Sequence, residues 1–338
     1  MRVLYIGHYL PGCTTRMRGE YLKIILNPEE FQVVNIDIPI DQTSTIMRSF
    51  GWRYKIGPLI RKINEYLRHC IRNHNRYDLV WVDKGVFIYP DFIRQMRDNG
   101  SVLVHFTPDT AFTYNKSSMF YDALPYYSYC ITTKSFELGD YVNRGVRNLL
   151  FCTQGFDPAL HKPYVDFSEK QGVVFIGQYE AWREETISKL LEKKILVKLS
   201  GAGWSRFAQK NRHQPNLRYL GNGLFGEDYA RLISGSLLGL GLLSKKFPEK
   251  HTTRTFEIPA CGTALATEYN DEIAQFYDKD DVLYFNDLHQ LLEKVAFGLA
   301  NRDWLEQITI RGKRRVAEGG YDYPNILKHL VGQMALNK

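Results

Sequence analysis

Short apolar runs alternate with amphipathic segments along the whole chain, and this alternation restricts the fold more than any other feature. A first set of runs comprises VLYIG (3–7), VVNIDI (33–38), DLVWVD (78–83), VLVHF (102–106) and YCITT (129–133). A second set comprises GVVFIG (172–177), ILVKLSG (195–201), LRYLG (217–221), LGLGLL (238–243), TALAT (263–267) and VLYF (282–285). Runs that are apolar on both faces and separated by helix-length stretches indicate parallel strands covered by helices. The sequence therefore predicts an α/β protein.

The interval between the two sets of strands indicates two domains. With 338 residues, the chain is longer than one hydrophobic core usually covers. The segment FDPALHKPYVDFSEKQ (156–171) contains two prolines, several charges and little periodicity, so we interpret it as the linker. We predict doubly wound, Rossmann-like domains over residues 1–160 and 161–318 that face each other across a cleft. A final helix within residues 319–338 is expected to pack back on the first domain.

Charge and cysteine content restrict the class of protein. The formal net charge of +7 favours a polyanionic partner such as a nucleotide, a nucleic acid or an acidic membrane surface. The five cysteines form no C-x-x-C pair and lie mostly in apolar runs, as expected of reduced thiols in a cytosolic protein. The N-terminal run is too short for a signal peptide, and no run reaches the roughly 20 apolar residues of a membrane span. We expect a cytoplasmic protein.

Several motifs of other enzyme classes are incomplete in this sequence. Gly201-x-Gly203 follows a predicted strand, but Arg206 stands where a dinucleotide fingerprint needs its third glycine, which argues against a nicotinamide or flavin enzyme. No predicted strand leads into the Gly-Lys-Ser/Thr of a phosphate-binding loop. The triplet 278–280 (Asp-Lys-Asp) precedes a strand instead of ending one, so a solvated turn is a better interpretation than a divalent-cation site. The histidines lack zinc-binding spacing, and we expect neither a metal nor a cofactor.

Two loops that follow N-terminal strands carry candidate functional residues. In GHYLPGCTTRMRGE (7–20), Gly12 permits a tight turn, Thr14 or Thr15 could cap the next helix, and the arginines could hold an anion. A plain strand-to-helix turn is the alternative. His105 and Asp109 lie near the end of the fourth strand, where such sheets present catalytic groups. A core histidine and an ordinary turn are the alternatives there.

The segment RYKIGPLIRKINEYLRHCIRNHNR (53–76) is basic and amphipathic. A solvated helix face is one interpretation, and a surface for anionic lipid or a lipid-linked acceptor is the other. No nucleic-acid recognition motif accompanies the charge, so a nucleic-acid partner is not expected.

The stretch HTTRTFEIPACGTALATE (251–268) has the polar residues that a nucleotide needs. A helix that begins at TRTFEI would direct free N–H groups and several side chains towards a diphosphate. These side chains are His251, Thr252, Thr253 and Arg254. Glu257, one turn further, could accept hydrogen bonds from two ribose hydroxyls. Gly262 would end the helix, and Pro259 would keep it short or kinked.

The pattern R-x-F-E-I-x-A-C-G (254–262), followed by an apolar strand and an acidic residue, resembles the C-terminal donor domain of GT-B glycosyltransferases. The nearest types are the CgeB-like and the retaining family-4-like enzymes, and the resemblance extends over residues 172–295. It implies two Rossmann-like domains and a UDP- or GDP-sugar donor. Glu257 matches the glutamate that binds ribose in that family, and Glu249 lies at the position of its partner glutamate.

The resemblance also implies roles for other residues. Arg254 and Lys246 would stabilise the leaving diphosphate together with Thr252 and Thr253. Gly177 belongs to the loop that opens the donor domain. His105 falls near a family histidine that lies close to the transferred sugar. Retention is implied by the family, and it needs no dedicated base. If the reaction inverts the anomeric centre, Asp109 is the candidate base and His105 the second.

Together these features predict a hexosyltransferase-type enzyme that needs no metal. The acceptor would be a glycan, a lipid-linked sugar or a protein, in the biosynthesis of surface polysaccharides or glycoconjugates. Peripheral contact with the inner face of an anionic membrane is expected. Two alternatives remain: a sugar-nucleotide epimerase of the same fold, and a basic protein that binds nucleic acid or membrane.

Overall fold

The computed structural model describes residues 1–71 and 76–336, and its strands form two parallel sheets of six strands each. The chain divides into two compact units. One consists of Met1–Thr153 together with the segment from Pro324 onward, and the other is Gln154–Tyr323. The boundaries predicted at residues 160 and 318 differ from these divisions by a few residues.

The N-terminal unit contains the first six strands. They are β1 (Arg2–Gly7), β2 (Glu30–Asn35), β3 (Leu79–Asp83), β4 (Val102–Thr107), β5 (Tyr129–Thr132) and β6 (Leu149–Phe151). All neighbours are parallel, in the order β2-β1-β3-β4-β5-β6. The helices are α1 (Thr14–Leu26), α2 (Asp37–Asp41), α3 (Thr45–Tyr54), α4 (Pro58–Ile71), α5 (Pro90–Asp98), α6 (Ser118–Ala123) and α7 (Leu138–Asn143).

The strand predicted over residues 33–38 is displaced in the structure. β2 ends at Asn35, whose side-chain oxygen accepts hydrogen bonds from the backbone N–H groups of Asp37 (3.0 Å) and Tyr9 (3.1 Å). These bonds end the extended conformation, and α2 begins at Asp37.

The helix α1 is capped by the sulfur of Cys13, which accepts from the N–H of Arg16 at 3.4 Å. The predicted threonine caps are therefore wrong.

The apolar face of the basic segment is buried in the N-terminal core. In α4, the side chains of Leu59, Ile63 and Leu67 are fully inaccessible to solvent. Residues 72–75 of the predicted segment lie outside the described residues. The amphipathic pattern of α4 therefore stabilises the fold, and its apolar face is not available to a membrane.

The C-terminal unit contains the second set of strands. They are β7 (Val173–Ile176), β8 (Val197–Ser200), β9 (Leu217–Tyr219), β10 (Leu238–Gly241), β11 (Ala264–Glu268) and β12 (Leu283–Phe285). The helices are α8 (Ala181–Glu192), α9 (Ser205–Lys210), α10 (Gly226–Ser234), α11 (Arg254–Ala260), α12 (Ile273–Phe276), α13 (Leu288–Ala300) and α14 (Arg302–Glu318). The last helix is α15 (Tyr323–Gln333), which belongs to the N-terminal unit from Pro324 onward. After it, the N–H of Ala335 donates to the hydroxyl of Tyr129 at 3.0 Å.

The strand order of the C-terminal sheet is β12-β11-β10-β7-β8-β9, all parallel. Numbered within the unit, this is the 3-2-1-4-5-6 order of a dinucleotide-binding fold. Alternate residues of β7 enter different cores: Val173 and Phe175 pack in one, Val174 and Ile176 in the other. Both faces of the sheet are thus covered, as the doubly apolar runs predict.

Strand order also predicts where ligands bind. In open parallel sheets, the site lies beyond the carboxyl ends of the strands, where the winding direction reverses. This switch point falls between β1 and β3 in the N-terminal sheet and between β7 and β10 in the C-terminal sheet.

In the part of the chain that the structure describes, every helix is too short or too polar to span a bilayer.

Candidate functional site

The loop after β10 leaves the C-terminal sheet at its switch point, and three carboxylates fix its backbone. The consecutive N–H groups of residues 243–245 donate to Glu268, Glu249 and Glu180 at distances of 2.9–3.1 Å. Hydrogen bonds from backbone N–H groups to charged acceptors are among the stronger ones in proteins. Glu249, which sequence resemblance matched to a ligand-binding glutamate, here holds the start of the loop.

Arg254 stands at the end of this loop, as the first residue of α11. Its side chain is partly buried, and its Nε is shielded from solvent with no hydrogen-bond partner among the described residues. Within residues 1–71 and 76–336, no carboxylate forms an ion pair with it. A guanidinium in this state is a strong donor to an anion, because it already lacks part of its hydration.

A second guanidinium, that of Arg183, lies close enough to Arg254 to interact electrostatically. Burial and the charge of Arg254 lower the pKa of Arg183, against the opposing effect of nearby carboxylates. Arg183 donates to the carbonyls of Gln178 (3.0 Å) and Leu242 (2.9 Å) and pairs with Glu180 at 3.1 Å. It therefore joins the loops after β7 and β10. The sequence prediction missed this residue, because its carbonyl partner Leu242 is 59 positions away.

Two lysines follow β10. The ammonium of Lys245 pairs with Glu268, whereas the side chain of Lys246 is exposed. Lys246 is thus in the same loop as Arg254 and accessible to a ligand. Its predicted contact with the diphosphate stays a prediction.

The first turn of α11 uses several of the N–H groups that were expected to face a diphosphate. The N–H groups of Thr255, Phe256 and Glu257 donate to the carbonyls of Thr252 and Thr253 at distances of 2.8–3.1 Å. With only seven residues, α11 also has a small helix dipole. Any anion bound here must rely mainly on side chains, of which Arg254 is the strongest candidate.

His251 is buried and both of its ring nitrogens are engaged. Nε2 accepts from the N–H of Gln154 at 2.9 Å, and Nδ1 bonds to the carboxylate of Glu272. This arrangement requires the hydrogen on Nδ1, because Nε2 is an acceptor. The ring holds the segment ahead of α11 in place, and its predicted contact with the diphosphate stays a prediction.

Glu257 is buried on α11 next to two polar side chains. Its Oε2 accepts from the hydroxyl of Tyr229 at 2.5 Å, and its Oε1 lies 3.7 Å from Nε2 of His161. The Nδ1 of His161 accepts from the N–H of Asp157 at 3.0 Å, so in the neutral ring Nε2 carries the hydrogen and points towards the carboxylate. Glu257 is therefore ordered before any ligand arrives.

Pro259 lies inside α11, where its ring removes the hydrogen bond to the carbonyl of Thr255. That carbonyl instead accepts from the buried hydroxyl of Tyr277 at 2.7 Å. The helix ends one residue later, and Gly262 takes a left-handed conformation (φ 69°). This agrees with the short helix predicted from the proline. Tyr277 supplies the donor that the proline lacks, which keeps Arg254 on a regular first turn.

The loops after β7 and β8 touch through their backbones. Gly177 accepts from the indole N–H of Trp204 at 2.9 Å. A Cβ placed on Gly201, whose φ is 142°, would lie 2.0 Å from the carbonyl oxygen of Gly177. Only glycine fits at position 201, so the predicted Gly177 loop is closely packed against its neighbour.

A pocket opens at the switch point of the N-terminal sheet. It is small, with about 40 Å³ open to the centres of water-sized molecules. Apolar side chains form part of its wall, and polar ones come from the ends of β1, β3 and β4, as the strand order predicts. The polar lining residues are His8, Asp83, Lys84, Thr107, Asp109 and Asn115.

His8 was not singled out from the sequence. It directly follows β1, and its Nδ1 lies 2.6 Å from Oδ1 of Asp37. The other oxygen of that carboxylate, Oδ2, accepts from the N–H of Tyr9 at 2.9 Å. The imidazole stacks nearly parallel to the indole of Trp52, with 6.0 Å between ring centroids. Its position after the first strand was a usable signal, but the partner Asp37 is 29 residues away and gave none.

Asp109 pairs with Lys84 across the same pocket. The Nζ and Oδ2 atoms are 2.8 Å apart, and both side chains are partly exposed. Burial would raise the pKa of Asp109, but the charge and hydrogen bond of Lys84 outweigh it and hold the pKa below its ordinary value. Asp109 is ionised at neutral pH, and its pairing makes it a weak proton acceptor.

Arg18 is not available to an external anion. Its guanidinium is buried and makes two hydrogen bonds to Asp83, at 2.9 and 3.0 Å. Gly12 takes a left-handed conformation (φ 78°) in the exposed part of the same loop. The loop is thus a tight turn, as predicted, with Arg18 directed into the core.

His105 lies inside the N-terminal core. The imidazole is fully buried among Phe120, Tyr127 and Tyr141, and neither nitrogen has a hydrogen-bond partner among the described residues. Burial lowers the pKa of His105 to about 3, so the ring is neutral. Its predicted role near the transferred sugar stays a prediction, and in this structure the side chain does not reach the pocket lining.

Among the described residues, no group of three or more histidine, cysteine or acidic side chains is placed to hold a metal ion. The Asp278 to Asp280 triplet lies in a turn, in which the N–H of Asp278 donates to Asp281 at 2.9 Å. This agrees with the turn interpretation of the triplet.

Residues 183–332 match a family model described as glycosyl transferase-like. No curated protein is similar enough in sequence to match. Among solved structures, Anabaena HepE in complex with UDP has a TM-score of 0.67 at 13% identity, covering 98% of this chain and 99% of that one. Sucrose-phosphate synthase from Thermosynechococcus elongatus has a TM-score of 0.67 at 12% identity, with 98% of both chains covered.

An E. coli structure described as trehalose-6-phosphate bound with UDP-2-fluoro glucose has a TM-score of 0.66 at 10% identity and is covered completely, as is this chain. At such identities the likeness shows a shared fold. The predicted pair of Rossmann-like domains is confirmed, while the CgeB-like subgroup stays a prediction. The chain therefore has the GT-B fold, and its residues 183–332 are similar to the glycosyl transferase-like family.

Proposed function

We propose that this chain transfers a sugar from a UDP-sugar to a hydroxyl group of a glycan, lipid-linked or protein acceptor. The C-terminal unit would bind the donor and the N-terminal unit most of the acceptor. One observation carries this proposal: Arg254, at the switch point of a nucleotide-binding sheet, has no carboxylate partner in the described part of the chain. UDP is the preferred nucleotide because the similar solved structures include complexes with UDP and a UDP-sugar.

In this proposal, Arg254 stabilises the leaving diphosphate. Charge builds up on the bridging oxygen as the bond to the sugar breaks, and a fixed cation is worth more in a partly buried site than in water. Arg183 adds positive potential from the second side, and Lys246 with the hydroxyls of Thr252 and Thr253 completes the contacts. Protein cations would therefore do what a divalent metal does in other transferases.

Glu257 would bind the ribose in this proposal. Its hydrogen bond from Tyr229 fixes the carboxylate and leaves acceptor capacity on both oxygens. Glu257→Gln keeps the shape but weakens acceptance from the ribose hydroxyls. We expect it to lower the affinity for UDP about 10-fold, a typical effect for a hydrogen bond to a charged group. An unchanged affinity, measured by calorimetry, would remove Glu257 from the site.

A nucleotide panel tests the function directly. Melting temperature is measured with UDP, GDP, ADP and CMP, and release of UDP is followed with UDP-glucose, UDP-galactose and UDP-N-acetylglucosamine. Stabilisation by UDP with slow release of UDP to water supports transfer. Interconversion of the sugars without release would indicate an epimerase. Binding of DNA or RNA with no response to any nucleotide would refute the proposal.

We further propose that the N-terminal unit contacts an anionic membrane through α3, on the cytoplasmic face. This helix and the residue pair after it expose a set of large apolar side chains: Ile46, Met47, Phe50, Trp52, Tyr54 and Ile56. A basic depression adjoins them, lined by Arg48, Arg53, Lys55 and Lys116. Apolar and basic side chains on one surface suit the headgroup region of an anionic bilayer. A lipid-linked acceptor would be reached from there.

Vesicle sedimentation tests this surface. We expect binding to phosphatidylglycerol vesicles at low salt and little binding to phosphatidylcholine vesicles. Ile46→Ser with Phe50→Ser should abolish the binding, and Phe225→Ser, which alters a more exposed ring of the C-terminal unit, should leave it unchanged. Equal binding to both kinds of vesicle, or no loss in the double variant, would contradict the proposal.

A further inference from the structure

We propose that the basic depression of the N-terminal unit binds a phosphate or diphosphate group of the acceptor, and that the acceptor is therefore a phosphorylated sugar. This inference rests on the proposed glycosyl transfer and narrows its acceptor to one chemical class. The depression has about 710 Å³ open to the centres of water-sized molecules, against about 40 Å³ in the pocket at the switch point. It has room for the part of an acceptor that the pocket cannot hold.

The lining of the depression is strongly cationic. Four of its ten lining residues are basic and none is acidic; the basic ones are Arg48, Arg53, Lys55 and Lys116. Arg48 pairs with Asp41 at 3.6 Å, and the other three form no ion pair with a carboxylate among the described residues. Several cations without an acidic neighbour suit an anion of more than one charge, such as a phosphate.

Lys55 distinguishes this depression from an ordinary charged surface. Only 8% of the residue is exposed, and its ammonium donates to the carbonyl of Trp52. The same ammonium lies 5.5 Å from the ring centre of Trp52 and 5.1 Å from that of Phe87. Burial lowers the pKa of Lys55. An ammonium that has lost part of its hydration without gaining a carboxylate is a strong donor to an anion that enters the depression.

The backbone of Lys55 gives independent support. The residue follows the last turn of α3 with a φ of 57°, a left-handed conformation in which glycine is the usual residue. Lysine at this position is unfavourable in its backbone and in the burial of its charge. Non-glycine residues in such conformations concentrate at ligand sites. A ligand for the ammonium accounts for both features.

The burial of Lys55 also separates this site from the proposed membrane contact. A bilayer surface reaches exposed side chains such as Ile46 and Phe50. Lys55, which is 8% exposed, is reached only by a group that enters the depression. The observations therefore favour a single phosphate-bearing ligand at Lys55 over a flat layer of headgroups.

The depression adjoins the pocket at the N-terminal switch point. Trp52 and Asn115 line both cavities. A sugar hydroxyl in the pocket and a phosphate in the depression can therefore belong to one acceptor molecule. Soluble sugar phosphates and lipid-linked sugar diphosphates both have this chemistry.

Calorimetry with inorganic pyrophosphate tests the site. The donor site is first saturated with UDP, so that the remaining binding belongs to the depression. Lys55→Met should weaken pyrophosphate binding about 10- to 100-fold, the range of charge-assisted hydrogen bonds. Lys116→Gln, at an exposed position of the lining, should weaken it about 3- to 10-fold. Lys23→Met removes an exposed lysine elsewhere in the unit and should change the affinity less than about twofold.

The melting temperature separates ligand binding from a structural role of Lys55. Lys55→Met keeps the length of the side chain and removes a buried charge, so the melting temperature should stay unchanged or rise. If Lys55 served only to close α3 on the carbonyl of Trp52, the variant would melt at a lower temperature and bind pyrophosphate as the wild type does.

Transfer assays identify the source of the phosphate. Release of UDP is measured with octyl glucoside, glucose 1-phosphate, glucose 6-phosphate and farnesyl-diphosphate-linked N-acetylglucosamine as acceptors. We expect kcat/KM to be at least about 10-fold higher for a phosphorylated acceptor than for octyl glucoside, and Lys55→Met to remove most of this preference by raising KM. Preference for a sugar phosphate would identify a soluble acceptor, and preference for the farnesyl compound a lipid-linked one.

Three results would overturn the inference. They are no binding of pyrophosphate to the UDP-bound protein, pyrophosphate affinities of Lys55→Met and Lys116→Gln equal to that of the wild type, or transfer that prefers octyl glucoside. Absence of all UDP binding would instead refute the proposed function. The two failures are therefore distinguishable.

Discussion

The carboxyl edges of the two sheets each contain a switch point, but their charged side chains are paired differently. In the N-terminal pocket, each charged lining group has a partner of opposite sign or a carboxylate to stabilise it. The pairs are His8–Asp37, Arg18–Asp83 and Lys84–Asp109. At the C-terminal edge, Arg254 has no such partner among the described residues. A neutralised pocket suits a hydroxyl-bearing acceptor, and an unpaired cation suits a diphosphate. Under the proposed function, similar scaffolds would be specialised by pairing or not pairing a few charges.

The largest expected effect is in the buried pair of the N-terminal unit. Asp83→Ala leaves the guanidinium of Arg18 buried without its partner, so we expect the free energy of unfolding to fall by about 3–5 kcal/mol. Urea denaturation measures it. As a control, Glu227→Ala breaks an exposed pair with Arg231 and should cost less than about 1 kcal/mol. Equal losses of unfolding free energy in the two variants would contradict the conclusion that the buried pair matters more for stability than the exposed one.

Arg254→Ala tests the opposite edge. No internal ion pair is lost, so stability should stay within about 0.5 kcal/mol of wild type. Affinity for UDP should fall about 10- to 100-fold, as expected for charge-assisted hydrogen bonds. Arg212→Ala, which removes an exposed arginine of the same unit, is the control for calorimetry. A large loss of stability with unchanged affinity would show that Arg254 is structural.

The pH dependence of stability tests whether His105 is a residue of the core or of the functional site. The pKa of His105 is about 3 in the folded protein and 6.5 ordinarily. As the pH falls, the imidazole is therefore protonated in the unfolded chain before it is protonated in the folded protein. Above pH 6.5 the imidazole is neutral in both states, so the free energy of unfolding does not depend on it. Stability is lost below that at about 1.4 kcal/mol per pH unit, or about 2 kcal/mol at pH 5.

His105→Phe should remove this part of the pH dependence, measured as the difference between variant and wild type in urea unfolding at pH 7 and pH 5. Activity should be retained, since the ring is buried. A loss of activity, with the same dependence of unfolding free energy on pH as in the wild type, would indicate that His105 is catalytic.

The smallest effect concerns the helix that carries Arg254. Tyr277→Phe leaves the carbonyl of Thr255 without its donor and should cost about 1 kcal/mol. In a Pro259→Ala background, the restored N–H can donate to that carbonyl, and the cost should shrink. Thermal unfolding of the four proteins in this cycle measures the coupling. The same cost in both backgrounds would contradict the compensation.

The strands were predictable because they are apolar on both faces, which few other structures allow. All six strands of the C-terminal sheet were predicted, whereas β6, with only three residues, was missed. The edge strand β2 was displaced because its end depends on hydrogen bonds made by Asn35 to residues of another loop. Local pattern thus predicts buried strands well and strand ends poorly.

The site was predictable only where its residues are consecutive. Arg254 and Glu257 belong to one short segment, so their pattern is visible. His8 and Arg183 gain their roles from partners far along the chain, Asp37 and the carbonyl of Leu242, and pairing at such distance leaves no local signal. His105 lies in β4 as its sequence context indicated, and its burial agrees with the alternative of a core histidine.

The contact between Gly177 and Gly201 also limits how this protein can be re-engineered. Because even a methyl group at position 201 would collide with the neighbouring carbonyl, the backbone of these two loops is fixed at the carboxyl edge of the C-terminal sheet. A library that randomises both positions would consist mainly of misfolded members. Under the proposed function, variation directed at a new donor sugar belongs instead in exposed side chains of the loop after β10, such as Lys246, where change leaves the backbone contact intact.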